Sequence, residues 1–281
     1  MTWEFIDWAG RGGMLALGAV SGRASGVHGY TITGDGPLAP MVLLHGIGAS
    51  AQSWALVMRH LLRDSRRVYM PDLPGHGFSR APDRLTLDGV FHDLDKALCG
   101  EISAPVVLVG HSLGALMAIR FALRHPERVR GLVLITPAGA TVADGAWDEV
   151  KPRLDIRTNA DGRSLVDRML AEPSWYSAWL APYIRETYSR PSVRAIVDSV
   201  CVGDMLSAAE LGRVRAPTMV LWGGKDRLLP RSDLDHFRTS LSPLAEIVEV
   251  EGWGHGPVLD RSADVARRVV EFAGRQGTRG A

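Results

Sequence analysis

The chain is poor in cysteine, in lysine and in long apolar runs, and it carries almost no net charge. Of its 281 residues only Cys99 and Cys201 are cysteine. Two thiols cannot build a disulfide framework or a thiolate zinc site, so both are expected to be buried apolar fillers. The 32 Lys+Arg against 31 Asp+Glu leave a formal charge of +1, which gives no field to hold a polyanion, and no nucleic-acid partner is expected. Nearly all the cations are arginines scattered along the chain, a bias of base composition rather than of phosphate recognition. The longest apolar runs, such as Met41–Leu44 and Val106–Val109, fall far short of the roughly 20 residues of a membrane span. The N-terminus has Glu4 and Asp7 where a secretory signal would be basic, so it reads as mature protein and the expected location is cytoplasmic.

What is present is alternation. Hydrophobic residues make up 46% of the chain, enough for a large core, and short apolar runs alternate with longer amphipathic ones, the pattern of strands separated by helices. After an extended N-terminal pair ending near Tyr30–Thr33, strands are predicted at Met41–Leu44, Val68–Met70, Val106–Val109, Leu132–Ile135, Thr218–Leu221 and Ile247–Val250. Helices are predicted at Trp54–Leu62, Leu87–Leu98, Leu113–Leu123 and Ala263–Phe272. The alternation stops between Gly139 and Arg213, where Trp147, Trp175, Tyr176, Trp179, Tyr183 and Tyr188 are concentrated. This segment is expected to be a helical cap over the carboxyl edge of the sheet, where open α/β sheets bind ligands. The core would then comprise 1–138 and 214–281, and the cap 139–213. The Gly/Arg-rich tail Gly274–Ala281 is expected to be frayed.

One short motif carries chemistry. Gly110-His111-Ser112-Leu113-Gly114 follows a predicted strand and opens a predicted helix, so Ser112 sits on a sharp turn that needs small residues on either side and lifts the hydroxyl above the sheet. The helix start also offers unsatisfied amides that favour developing negative charge. A serine hydroxyl needs a base. His255, in the glycine-rich loop Gly252–Pro257 after the last strand, is the candidate; His111 is expected to point away from the hydroxyl, and His125 to be a surface helix end. Asp226, after the strand Thr218–Leu221, is the candidate to orient the imidazole, with Asp204 as a reserve. The oxyanion donors are expected to be the amides of Leu113 and of Ile47, in the loop Leu44–Ser50, which His45 would brace.

In its segments Leu43-Leu44-His45-Gly46-Ile47-Gly48 and Asp72-Leu73-Pro74-Gly75-His76-Gly77-Phe78-Ser79, its Ser112 turn, its Asp226 turn and its His255 loop, the chain resembles the α/β-hydrolase superfamily. The resemblance implies a mostly parallel eight-stranded sheet flanked by helices, a lid after the sixth strand, and no metal or organic cofactor. It makes Asp72–Ser79 a structural loop, which keeps His76 out of the catalytic set. Serine at the turn argues against the dehalogenase and epoxide hydrolase branches. The expected reaction is hydrolysis of a small to medium, largely apolar carboxylic ester through an acyl-enzyme, with Trp175 and Trp179 contributing to the substrate pocket. Three alternatives stay open: a C–C hydrolase of vinylogous diketones, acyl transfer to an alcohol instead of water by the same residues, and a non-hydrolytic protein similar to the accessory proteins associated with magnesium chelatase, suggested by His45–Ser50 and Ser53-Trp54. Oligomeric state is not legible.

Overall fold

The computed structural model describes residues 3–140 and 146–277. Strands β1 (Val20–Ala24) and β2 (Val27–Thr33) form a hairpin at one edge, and β2 also runs antiparallel to β4. The remaining strands, β3 (Met41–Leu44), β4 (Arg67–Pro71), β5 (Val106–His111), β6 (Val129–Ile135), β7 (Thr218–Gly223) and β8 (Glu246–Val250), are parallel. The eight-stranded order is β1-β2-β4-β3-β5-β6-β7-β8. The central strands β3, β5 and β7 are buried at every residue, as unbroken apolar runs covered on both faces must be. The edge strand β8 instead exposes Glu246 and Glu249, charges that discourage pairing with another edge.

Twelve helices complete the described residues: α1 (Trp3–Ala16), α2 (Ala55–Leu61), α3 (Leu87–Glu101), α4 (Leu113–Arg124), α5 (Ala146–Val150), α6 (Asn159–Met169), α7 (Tyr176–Ser189), α8 (Pro191–Ser199), α9 (Ala208–Leu211), α10 (Arg231–Ser240), α11 (Pro257–Asp260) and α12 (Ser262–Gly277). Helix α4 is the most deeply placed. Its Leu113 to Ile119 are buried without a break, because it packs beneath the sheet while α3 covers its other side. The cores on the two sheet faces are separate. Leu44, Leu108, Leu134 and Val220 face α3 and α4, whereas Leu43, Val109, Val133 and Leu221 face α2 and α12, the period-two alternation of a strand. Between β6 and β7 the described residues form only helices, α5 to α9, with short 3-10 turns.

The structure corrects two sequence expectations and adds one element. Cys99 is only partly buried and Cys201 is exposed, so neither is a core filler. Helix α12 continues through Gly277, so residues 274–277 are not frayed; residues 278–281 lie outside the described set. Helix α1 was not legible, because Gly10, Gly12 and Gly13 lower its helix propensity by about 1 kcal/mol each. No described helix is long and apolar enough to cross a membrane.

Candidate active site

Ser112 lies between β5 and α4 with φ 51° and ψ −117°. This left-handed, sparsely populated conformation costs a non-glycine residue of order 1–3 kcal/mol, and it persists because its surroundings over-determine it. The flanking glycines make the turn possible: a Cβ on Gly110 would stand 2.5 Å from Ala115 Cα, and one on Gly114 only 2.2 Å from the Leu44 carbonyl oxygen. Ser112 is held by its own backbone, donating N–H to Ile135 and accepting from Ala115 and Ala138. Ser112 lines a cleft whose atom-free space, counted with the solvent at its mouth, is roughly 600 Å³.

Asp226 and His255 meet across the β7 and β8 ends. His255 Nδ1 donates to Asp226 Oδ2 at 2.8 Å, and both side chains are almost fully buried. The other carboxylate oxygen accepts the Leu228 and Leu229 amides at 2.8 and 3.0 Å. The carboxylate is thereby fixed in place, and with the proton on Nδ1 the free lone pair of the imidazole is on Nε2. Two further contacts tie the His255 backbone to the serine turn and to the end of β6. His111 Nε2 donates to the His255 carbonyl at 2.8 Å and Thr136 Oγ1 donates to the same oxygen at 2.7 Å. Among the described residues no hydrogen bond joins the Ser112 hydroxyl to the imidazole; such contacts are commonly long in resting sites and tighten with substrate.

The loop after β3 supplies the facing wall. A Cβ on Gly46 would lie 3.4 Å from Ser112 Cβ, so this loop and the serine turn are in direct contact. Ile47, Ser112 and Leu113 line the cavity together, and among the described residues neither the Ile47 nor the Leu113 amide donates to a protein acceptor. His45 is fully buried and braces the loop at both ring nitrogens, to the Gly46 carbonyl at 2.8 Å and from the Leu73 amide at 2.9 Å. Burial holds its pKa below the ordinary value. Asp72 ties three segments together, accepting from His28, the Ala51 amide and the Phe78 amide. Burial by itself would raise its pKa, but those donors outweigh it and lower it.

The cavity is hydrocarbon-lined. Leu87, Leu116, Val150, Leu154, Val197, Val200, Met205, Leu228 and Leu229 form it with Ala138, Gly139 and Trp147, and no charged side chain appears among its described lining residues. The structure does not bring Trp175 and Trp179 there: they are 86% and 50% exposed. Trp147 is the tryptophan that reaches the cavity. Asp204 is also elsewhere, accepting the Cys201 amide and facing Arg120 at 3.8 Å. Thr136, at φ 39°, went unread in the sequence; its one signal is a polar residue ending the apolar run of β6.

Among the described residues, one His/Cys/Asp group outside this site brings metal-ligating atoms together, Asp95, Cys99 and His125. It lies at the C-terminal end of α4, and is better described as an ion-pair cluster. His125 Nε2 bonds Asp95 at 2.8 Å, Arg124 faces the second carboxylate oxygen at 3.4 Å, and burial with the nearby Asp95 charge pushes the Cys99 thiol up rather than toward thiolate. His125 is thus a partly buried partner of Asp95 rather than a bare surface helix end.

Residues 41–268 match the model of the alpha/beta hydrolase family. A pimeloyl-[acyl-carrier protein] methyl ester esterase of Chromobacterium violaceum is 31% identical over 251 residues, which cover 85% of this chain and 94% of the relative. A bacterial membrane phospholipase A superposes with a TM-score of 0.82 at 25% identity, covering 99% of this chain and 92% of the other. A meta-cleavage product hydrolase from Pseudomonas fluorescens gives 0.76 at 24% identity over 91% and 97%, a likeness of fold. The chain belongs to the alpha/beta hydrolase family, as an enzyme of its esterase branch.

Proposed function

We propose that the chain hydrolyses carboxylic esters of small to medium aliphatic or aromatic acids through an acyl-enzyme on Ser112. The observation that carries this reading is that Ser112, Ile47 and Leu113 line one apolar cavity while the Ile47 and Leu113 amides donate to no acceptor among the described residues. In the first step His255 Nε2 takes the hydroxyl proton as Ser112 Oγ adds to the ester carbonyl, and the oxyanion is received by the two amides. Asp226 stabilises the imidazolium and keeps the proton on Nδ1. Collapse breaks the C–O bond, and the imidazolium protonates the departing alcohol. Water then adds to the acyl-enzyme by the same route, its proton passing through His255 back to Ser112.

The similarity to a pimeloyl-[acyl-carrier protein] methyl ester esterase fits a polymethylene chain in the cavity, which offers hydrocarbon contact and few polar handles. The same lining speaks against the C–C hydrolase alternative, because a dienolate carboxylate would have to be desolvated with no cation to receive it, at a cost of several kcal/mol.

The test is turnover of a p-nitrophenyl butyrate by the protein and by Ser112→Ala, with stoichiometric labelling by an alkyl phosphonate. The expected result is loss of turnover by several orders of magnitude and loss of labelling. Undiminished turnover by the variant overturns the nucleophile, and absence of turnover in the unaltered protein favours the accessory-protein reading.

A further inference from the structure

Resting on that reading, we propose that Tyr188 is a positioning residue for the oxyanion loop, so that helix α7 of the segment between β6 and β7 sets the competence of the Ile47 amide. Tyr188 lies in the last turn of α7 and is 5% exposed. Its hydroxyl donates to the Ile47 carbonyl at 3.2 Å, 141 residues away in sequence. Its ring lies directly on Gly48, where a Cβ would stand 2.3 Å from Cε2.

Gly46 to Ala49 form a turn closed by the Ala49 amide on the Gly46 carbonyl at 3.2 Å. Gly48 has φ +65°, the left-handed conformation that the third residue of a type II turn adopts. In such a turn the central peptide, here Ile47 to Gly48, can rotate, because glycine permits both hands at little cost. On the Gly46 side the loop is fixed by His45, whose Nδ1 donates to the Gly46 carbonyl. On the Ile47 side the Tyr188 hydroxyl is the bond that fixes the carbonyl direction. An oxyanion donor is effective in proportion to how fully it is oriented before the reaction. Freeing the Ile47 carbonyl lets the turn sample other rotamers of its central peptide, and the neighbouring Ile47 N–H then has to be ordered in the transition state. The ring and the hydroxyl have separable roles: the ring fills the space that Gly48 leaves, and the hydroxyl selects the peptide orientation.

Tyr188→Phe separates them. It keeps the ring over Gly48 and removes one hydrogen bond. With p-nitrophenyl butyrate, kcat should fall about tenfold while KM stays within about twofold, and the second-order rate of inactivation by an alkyl phosphonate should fall by the same factor as kcat, since both depend on the oxyanion. The melting temperature should remain within a few degrees of the parent. A kcat within twofold of the parent, or a change confined to KM, overturns the proposal, because Tyr188 would then only pack against the loop. Failure of the underlying esterase reading registers separately, as lack of turnover in the unaltered protein or full activity in Ser112→Ala.

Discussion

His111 Nε2 donates to the carbonyl oxygen of His255 at 2.8 Å, joining the residue before Ser112 to a loop 144 residues further along the chain. A carbonyl can only accept, so the His111 proton is on Nε2. Burial first, and then the facing His255, lower the His111 pKa to about 3, and the ring stays a neutral donor through the working range. The serine turn and the His255 loop are therefore held in register by a bond from a ring that stays neutral. Replacing His111 by Phe should lower kcat by about 10- to 100-fold with a small change in KM, since the imidazole is displaced and the cavity is not. The stability loss should be only about 1 kcal/mol, because the His255 carbonyl keeps its bond from Thr136 and is not left wholly unpaired. Parallel measurement of kcat, KM and urea unfolding checks both halves; an unaltered kcat would contradict this coupling.

The same buried histidines make stability depend on pH. Burial lowers His76 and His111 from 6.5 to about 3, and lowers His45 in the same direction. Each folded-state value lies below its unfolded value, so the unfolded chain takes up protons first as the solution is acidified. The stability that His76 and His111 preserve is complete above about pH 6.5 and is lost as pH falls from there towards 3, by up to about 1.4 kcal/mol per pH unit for each imidazole, and His45 acts in the same direction. His76 is the clean probe, because its Nε2 is buried without a partner and its removal breaks one hydrogen bond, to Pro74 at 3.2 Å, and an edge contact with the His45 ring. Urea denaturation between pH 7 and 5 should show a shallower decline for His76→Leu than for the parent, by about one proton's worth of slope. Identical slopes would mean that His76 is protonated in the folded state.

Legibility from sequence followed the range of the interactions. The eight strands, the sharp serine turn and the pairing of Asp226 with His255 were readable because each rests on a local device: an apolar run, a glycine pair, or a loop leaving a strand end. The tryptophans were not readable in the same way. Trp147, Trp175 and Trp179 have similar local contexts, and which of them faces the cavity is decided by how the helices after β6 dock on the sheet edge. Thr136 and Tyr188 were missed because their hydroxyls act on backbone carbonyls 119 and 141 residues distant, contacts that leave no local signature. Cys201 was misplaced for a related reason. Its hydrophobic character suggested burial, but it starts a short exposed turn whose amide is capped by Asp204.

The cavity predicts a graded preference for acyl length. Each methylene moved from water into a hydrocarbon lining contributes about 0.8 kcal/mol, close to fourfold in kcat/KM where the contact is made in the transition state. In a series of p-nitrophenyl esters, kcat/KM should rise from acetate by up to this factor per carbon and level off where the chain reaches the end of the space. Val200 lines the cavity from the end of α8 and is partly exposed, so a larger ring can enter there without rebuilding the core. Val200→Trp should therefore leave acetate turnover within about threefold of the parent and cut octanoate turnover by tenfold or more, shifting the optimum to shorter acids. Acetate as the best substrate of the parent, or an unchanged profile in the variant, would show that the acyl chain lies outside the space between Ser112 and Val200.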